Sequence, residues 1–228
     1  MLSYLINGFR GGRVDFMSVV ITLAASLLVI FLIMPFHEWA HAFTAYHLGD
    51  RGIKQRGRLS LNPLSHIDPV GALLIIFVGF GWAKPVPIDP RYFKNPKVGM
   101  GISALMGPVA NFVAALFGGL VINALFAFFP SFMLVDNFGI YVRLFLSYYI
   151  TLNVGLAVFN LIPVPPLDGS KVLFMFLPDR IVNTIYRYEQ YFFVVIRILF
   201  WFGGNFVSAV SEPVINFVVW LTGLPFGF

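Results

Sequence analysis

Long apolar stretches alternate with short polar ones along this chain. A helix needs about 20 mostly apolar residues to cross a lipid bilayer. Four stretches reach that length, namely residues 16–36, 98–129, 139–162 and 191–224. The last is long enough for two passes around Gly203 and Gly204. The pattern predicts an all-α polytopic membrane protein with about five to six transmembrane helices.

Two apolar runs, residues 70–80 and 172–177, are too short to cross a bilayer alone. The first lies within residues 50–97, which are too polar and too interrupted to form one span. Residues 58–61 and 83–88 have the length of short strands. We therefore expect a small strand-containing or re-entrant region between the first and second core helices.

The composition indicates that a bilayer surrounds most of the chain. Hydrophobic residues make up 59% of the sequence and charged residues only 11%, whereas a soluble domain carries about 25% charged residues. No linker or repeat divides the sequence, so we expect a single membrane-embedded domain over residues 1–228. The chain has no cysteine, which excludes disulfides and thiolate chemistry.

The basic residues indicate how the chain is oriented. Eight of the fifteen lysines and arginines lie in residues 49–97 and none in residues 130–138. Loops rich in lysine and arginine face the cytoplasm, so we expect residues 49–97 on that side. Arg10 and Arg13 would then face outward, which counts against this orientation. The formal charge of +5 is thus interpreted as orienting the chain rather than as a nucleic-acid-binding surface.

Three ionisable residues, His37, Glu38 and His41, follow the first apolar run directly. A charged side chain at the bilayer centre costs at least about 2.5 kcal/mol, so something must offset their burial. Histidines four residues apart lie on one helix face, where both can bind one divalent ion. Glu38 points about 100° away from His37, so it can act as a general base beside the metal.

This H-E-x-x-H pattern is typical of zinc proteases, in which the metal lowers the pKa of water to about 7. The alternative is a pair of histidines that only hydrogen-bond to neighbouring helices.

A catalytic zinc ion needs a third protein ligand. His47 has the spacing of the last histidine in H-E-x-x-H-x-x-G-x-x-H. Thr44 stands where that pattern has the glycine that breaks the helix. If the helix continues, His47 projects about 120° away from His41, so we expect it to be a helix-end residue.

Asp168, His66 and Asp68 remain as candidates for the third ligand, because the first glutamate after Glu38 is Glu189. For His66 and Asp68 the favoured interpretation is hydrogen bonding within the polar region of residues 49–97.

Asp168 follows a break in the chain. Prolines at positions 163, 165 and 166 end the preceding helix, because each lacks an N–H group and fixes φ. Broken backbone at membrane depth lines a functional cavity in many membrane proteins. On the predicted orientation, this break lies at a depth similar to that of His37 and His41. The alternative role for Asp168 is that of an N-cap, since it opens a new helix.

Two complete motifs make the chain resemble the site-2 protease family of intramembrane zinc metalloproteases, in its compact bacterial form without a PDZ or CBS domain. Residues 37–41 read H-E-W-A-H, and residues 160–169 match N-x-x-P-x-x-x-x-D-G. Residues 107–111, G-P-V-A-N, are similar to the G-P-x-x-N of the family's middle span. The resemblance covers about residues 18–175 and leaves the expected C-terminal helices, residues 180–226, without a recognised motif.

The resemblance implies the role of each site residue. The implied ligands of one zinc ion per chain are His37, His41 and Asp168, and the implied catalytic base is Glu38. Asn160 lies where family members are suggested to steady the substrate backbone or the oxyanion, and Asn111 is a second candidate for such a contact. For both asparagines the alternative is hydrogen bonding between helices.

The resemblance also implies an activity and a location. We expect a zinc endopeptidase of the cell membrane that cleaves single-pass membrane proteins in or near their transmembrane segment. Its active site would lie nearer the cytoplasmic side. A strand edge within residues 50–97 would hold an unwound substrate by β-pairing, or this region would only cap the bundle. The oligomeric state is not predicted.

Two other functions are weighed against proteolysis. A membrane scaffold or chaperone would keep the metal site and cleave nothing, but the intact Glu38 argues against it. A metal transporter would use the same cluster as a transit site, but transporters show broken helices in two related halves. No such repeat is present in the sequence.

Overall fold

The computed structural model describes residues 16–78, 81–188, 191–192 and 204–223, and most of them are helical. The helices are α1 (Phe16–Leu28), α2 (Met34–Leu48), α3 (Gly52–Gln55), α4 (Pro69–Val78), α5 (Pro96–Phe128), α6 (Pro130–Leu134), α7 (Asn137–Asn160), α8 (Asp168–Phe174), α9 (Asp179–Arg187) and α10 (Gly204–Thr222). Short 3-10 turns lie at Pro63–Ser65 and Pro90–Tyr92.

Three helices are long and apolar enough to cross a membrane: Leu23–Leu48, Pro96–Phe128 and Asn137–Asn160. They confirm the prediction of an all-α polytopic membrane protein. A shorter apolar helix, Ala209–Thr222, follows in α10. Of the two passes predicted within residues 191–224, the one before Gly203 falls largely outside the described residues, so the count of five to six spans stays a prediction.

The first span is one continuous helix with a local irregularity. A π-helical turn, Val29–Ile33, joins α1 to α2, and the N–H of Met34 donates to the carbonyl of Val29, five residues back. Pro35 has no N–H and cannot continue the ordinary hydrogen-bond ladder, so a wider turn precedes it. Such turns occur frequently at functional sites, and this one ends just before His37.

Helix α5 is the centre of the bundle, and α2, α7, α8 and α10 all pack against it. At 33 residues it is about 50 Å long, so it extends beyond a hydrocarbon core of about 30 Å. Its buried face is rich in small residues, namely Gly99, Gly101, Ala104, Gly107, Ala110, Ala114, Ala115, Gly118 and Gly119. Small side chains let neighbouring helices approach closely in a membrane. This close approach brings α2 and α8 together beside α5.

The chain between the first two core helices folds back on itself. Helix α4 has 10 residues and is about 15 Å long, roughly half of a bilayer core. A β-carbon on Gly71, near its start, would collide with the backbone of Trp82, and one on Gly81 would collide with the carbonyl of Gly71. The chain therefore returns beside the beginning of α4, as the re-entrant alternative predicts.

The strands predicted at residues 58–61 and 83–88 are not confirmed. Within the described part of the chain, the pairing there is a single isolated antiparallel bridge between Ile67 and Ala83. For residues 83–88 the physical reason is that Pro85 and Pro87 remove alternate N–H donors, so that a regular ladder cannot continue there.

Candidate active site

His37 and His41 project from successive turns of α2 towards Asp168, the first residue of α8. The two Nε2 atoms lie 3.0 Å apart. Oδ2 of Asp168 lies 3.2 Å from His37 Nε2 and 3.1 Å from His41 Nε2. A tetrahedral zinc ion with ligand distances near 2.0–2.1 Å separates its ligand atoms by about 3.3 Å. The three buried side chains can therefore hold one such ion, and no other group of three acidic, histidine or cysteine residues in the described part of the chain does so.

Helix α5 fixes the orientation of one imidazole. Nδ1 of His41 lies 2.7 Å from the backbone carbonyl of Ser103. A carbonyl only accepts, so Nδ1 carries the proton and Nε2 keeps its lone pair for a metal. Nδ1 of His37 has no hydrogen-bond partner among the described residues. The bond to Ser103 is the outer-sphere contact that a metal-binding histidine needs.

Gly107 on α5 packs directly against the imidazoles of His37 and His41. A β-carbon there would lie 2.5 Å from His37 Cε1 and closer still to the ring of His41. Only a glycine leaves room for both rings at this depth. The G-P-x-x-N motif thus has a steric role at the site that the sequence did not reveal.

The chain break after α7 delivers Asp168 to the histidines. Helix α7 ends at Asn160 and α8 begins at Asp168, and a β-carbon on Gly169 would lie 2.6 Å from the carbonyl of Ile162. Gly169 is therefore needed for α8 to fold back against the end of α7. Leu167 is the N-cap residue of α8, without a side-chain cap. The Asp168 carboxylate faces the histidines, so the alternative of an N-cap is not what the structure shows.

His47 lies apart from the cluster of His37, His41 and Asp168. Helix α2 continues to Leu48, and Nδ1 of His47 donates to the carbonyl of Phe43, 2.8 Å away on the same helix. This matches the interpretation of His47 as a helix-end residue.

His66 and Asp68 hydrogen-bond within the polar region of residues 49–97. Nε2 of His66 lies 2.7 Å from the carbonyl of Ser60, and Oδ1 of Asp68 accepts from the N–H of Gly71 at 2.8 Å. Neither belongs to the cluster of His37, His41 and Asp168. Of the three candidates for the third ligand, the structure brings only Asp168 to the histidines.

Glu38 opens onto the same cavity as the cluster. This cavity of about 450 Å³ is lined by His37, Glu38, His41 and Asp168, with Asn111 and Asn160 also in its wall. Oε2 of Glu38 accepts a hydrogen bond from the backbone N–H of Val86 at 3.1 Å. The Glu38 carboxylate is thus held by the backbone of Val86, and Glu38 lines the same cavity as His37, His41 and Asp168.

Among the residues that the structure describes, neither asparagine forms the interhelical hydrogen bond of the alternative interpretation. Asn160 Nδ2 donates to the carbonyl of Leu156 on its own helix, at 3.0 Å. Asn111 is only 1% exposed, and neither polar atom of its side chain has a hydrogen-bond partner among the described residues. An unsatisfied buried amide is costly, so a cavity-lining one is available to a bound group.

Lys171 was not singled out in the sequence. Its Nζ lies 3.5 Å from Oδ1 of Asp168, the carboxylate oxygen that does not face the histidines, and it lines the cavity. The signal available was its spacing, because a residue three positions after Asp168 lies on the same face of a helix.

Comparison with known proteins finds a peptidase family and relatives that are named as zinc metalloproteases. A family model described as "Peptidase family M50" matches residues 135–203. The "Putative zinc metalloprotease YwhC" of Bacillus subtilis is 39% identical over 175 residues, which cover 76% of this chain and 79% of that protein. The "Putative zinc metalloprotease Rip2" of Mycolicibacterium smegmatis is 32% identical, over 72% of this chain and 61% of that protein. No solved structure matches the chain significantly.

Proposed function

Because this chain belongs to peptidase family M50, the site-2 protease family, and is therefore a metalloendopeptidase, we propose that it cleaves single-pass membrane proteins in or near their transmembrane segment. The observation that carries this proposal is the common cavity. It places the Glu38 carboxylate and the cluster of His37, His41 and Asp168 together among helices that are long and apolar enough to span a bilayer.

The three clustered side chains are proposed to hold one zinc ion. Two neutral imidazoles and one carboxylate are a usual donor set for catalytic zinc, which keeps its fourth position open. When bound, the metal would supply a Lewis acid that activates water and polarises the scissile carbonyl.

Glu38 is proposed as the general base. Its carboxylate would take a proton from the attacking water and return it to the leaving amine. Because Oε2 is already bound to the N–H of Val86, the other oxygen is the one that would face the reacting groups.

Asn111 and Asn160 are proposed to contact the substrate. The two residues line the cavity on the α5 and α7 sides. A side-chain amide can donate to the oxyanion that develops as the peptide carbonyl is attacked. It can equally accept from, or donate to, the unwound backbone of a substrate. The unsatisfied amide of Asn111 supports this role most directly.

The active site is proposed to lie nearer the cytoplasmic side. The clustered histidines occupy the second half of the first span, and the chain after it carries the basic residues Arg51, Lys54, Arg56 and Arg58. Loops of this composition remain cytoplasmic.

The deciding experiment measures cleavage of a tagged single-pass membrane protein by purified protein in detergent. Wild type is compared with Glu38→Gln. Glu212→Gln is the matched control, because it makes the same carboxyl-to-amide change at an exposed position of α10. We expect Glu38→Gln to lower the rate by about 100-fold or more, because a positioned base contributes at least that much. Zinc content and melting temperature should stay as in wild type.

Each other outcome has a definite meaning. Equal cleavage by wild type and Glu38→Gln would show that the base lies elsewhere or that a contaminant acts. Zinc binding without cleavage by wild type, across a panel of single-pass substrates, would favour the scaffold over the protease.

A further inference from the structure

The segment of residues 84–89 runs from the cavity towards the C-terminal end of α2, and all of its backbone donors are used. Residues 85 and 87 are prolines, so the segment has four N–H groups. These bonds run from Lys84 to the His66 carbonyl at 2.7 Å, from Val86 to Glu38 Oε2 at 3.1 Å, from Ile88 to the Val86 carbonyl at 3.0 Å and from Asp89 to Asp50 Oδ2 at 2.9 Å. The segment therefore offers no free N–H to a substrate strand.

Within this segment, the backbone N–H of Val86 is the donor that reaches the proposed catalytic base. Prolines flank it on both sides, so no neighbouring N–H can take over the bond to Glu38. A base that is itself oriented by a third group is the usual arrangement in hydrolytic sites. The direction of the Glu38 carboxylate then depends on where the backbone of Val86 is held.

Asp50 and Arg56 hold that backbone. Asp50 directly follows Gly49, the C-cap of α2, and its side chain is 0% exposed. Its Oδ2 accepts from the N–H of Asp89 at 2.9 Å and from Nη2 of Arg56 at 3.0 Å. The same Nη2 donates to the carbonyl of Pro87 at 3.0 Å. The pair therefore binds the segment at two places, the carbonyl of Pro87 and the N–H of Asp89.

Glu38 lies on α2, and Asp50 follows two residues after the end of that helix. Glu38 and Asp50 are separated by 12 residues along the chain, or about 18 Å along a helix. The segment is fastened to both, so a shift at the Asp50 end is transmitted to Val86. We propose that Asp50 and Arg56 are positioning residues for Glu38, which act by holding the N–H of Val86 against its carboxylate. This inference rests on the proposed function and adds the groups that keep its base in place.

A second ion pair on the same loop provides a matched control. Arg91 donates to the side chain of Asp89 at 2.7 Å and holds the pKa of that carboxyl at about 2. The Arg91 side chain is 86% exposed, and its partner is the carboxylate of Asp89, whereas the segment is held through the Asp89 backbone. Removal of this exposed pair should leave Val86 where it is.

The test compares Arg56→Gln, Arg56→Lys and Arg91→Gln in full-length, zinc-loaded protein. Hydrogen exchange followed by mass spectrometry reports on a peptide that covers residues 84–89, where few amides contribute. Steady-state cleavage supplies kcat and KM, while zinc content and melting temperature report on the fold. Arg56 is chosen for substitution because its side chain is 40% exposed, so its loss is less disruptive than that of the fully buried Asp50.

We expect Arg56→Gln to speed exchange in the segment and to lower kcat by about tenfold or more, since small misplacements of a catalytic group have such effects. KM, zinc content and melting temperature should stay close to wild type. Arg56→Lys should recover most of the lost kcat, because it keeps the charge beside Asp50. Arg91→Gln should match wild type in every measurement.

Three results would overturn the proposal. Unchanged exchange in Arg56→Gln would show that the pair does not hold the segment. Faster exchange with full kcat would show that Glu38 does not need it. A loss of kcat that parallels a loss of zinc or of thermal stability would reduce the pair to a structural role. If wild type fails to cleave, the proposed function fails with it, and exchange alone then decides whether the pair holds Val86 on Glu38.

Discussion

Gly107 and His37 approach each other so closely that a single added carbon would separate them. A β-carbon on Gly107 would lie 2.5 Å from Cε1 of His37, well inside ordinary van der Waals contact. The helices α2 and α5 are therefore set at the distance at which the imidazoles of His37 and His41 can share a metal ion with Asp168. The geometry of the cluster of His37, His41 and Asp168 therefore depends on the spacing between α2 and α5.

Substitution of Gly107 by alanine should consequently disturb the metal site. The added methyl group must push the imidazoles or α2 aside, so zinc affinity should fall by about 10-fold or more, as it does when contacts that orient metal ligands are lost. Proteolytic activity should fall with it. Zinc affinity is measured by competition with a fluorescent chelator.

Gly155→Ala is the control for Gly107→Ala. It makes the same change in another membrane helix, where a β-carbon would meet nothing within 4 Å. Alanine is the better helix former, by about 1 kcal/mol, so this variant should be at least as stable as wild type and keep its zinc affinity. Equal zinc affinity in both variants would contradict the steric role of Gly107.

Asp168 should be indispensable for the metal. Replacement of Asp168 by asparagine removes the charge that lies 3.1–3.2 Å from both imidazole nitrogens. Loss of an outer contact already costs about 10- to 100-fold in metal affinity, so loss of a ligand should cost more than that. Purified Asp168→Asn should contain little zinc by elemental analysis.

Asp136→Asn is the matched control for that measurement. Asp136 caps the start of α7 by accepting from the N–H of Phe138 at 2.8 Å, and asparagine caps helices equally well. Its zinc content should equal that of wild type. Full zinc occupancy in Asp168→Asn would instead exclude this residue as the third ligand.

The sequence predicted the parts of this molecule that depend on local pattern. The length of apolar runs predicted the membrane helices, and the i, i+4 spacing of His37 and His41 predicted a shared face. The resemblance to a family supplied Asp168 as their partner, whereas spacing alone left His66 and Asp68 open. The break that delivers Asp168 could be foreseen, since the prolines before it cannot continue a helix.

Features that arise from contacts between distant segments could not be foreseen. The bond from Val86 to Glu38 joins residues 48 positions apart, and nothing in either local pattern signals it. The strand predicted at residues 83–88 was not confirmed, because its two prolines remove the donors that a ladder requires. The same prolines flank Val86, whose N–H is the donor that reaches Glu38. The residues that prevent a regular strand therefore also determine which N–H binds the Glu38 carboxylate.

Asn111 should matter for activity and not for stability. Its amide is buried without a partner among the described residues, and such groups cost about 1–3 kcal/mol. Asn111→Leu removes the unsatisfied amide at similar volume, so the melting temperature should stay or rise. If the amide supports the oxyanion, kcat should fall by about 100-fold.

Asn153→Leu provides the comparison for Asn111→Leu. Asn153 is also fully buried, and its side-chain oxygen has no partner within the described part of the chain. It is not among the residues that line the cavity. We expect it to retain near-normal kcat. A parallel loss of stability and activity in Asn111→Leu would assign that residue to the packing of the bundle instead.

The orientation of the chain can be tested directly because the sequence has no cysteine. Single cysteines are introduced at Lys94, exposed just before α5, and at Val135, 79% exposed between α6 and α7. Lys94→Cys leaves seven of the eight basic residues of 49–97 in place, so the charge bias that sets orientation persists. A membrane-impermeant maleimide applied to intact cells should label Val135→Cys and spare Lys94→Cys. Both should react once the membrane is permeabilised.

The labelling result also bears on where cleavage products go. Helix α5 lies between the two reporter positions, so they should be on opposite faces of the membrane if it spans the bilayer. Protection of Lys94→Cys would place the chain that follows the first span, including Asp50 and Arg56, in the cytoplasm, so that water and the released fragment would exchange with that compartment. Labelling of Lys94→Cys from outside, with Val135→Cys protected, would invert the chain and require release on the opposite side.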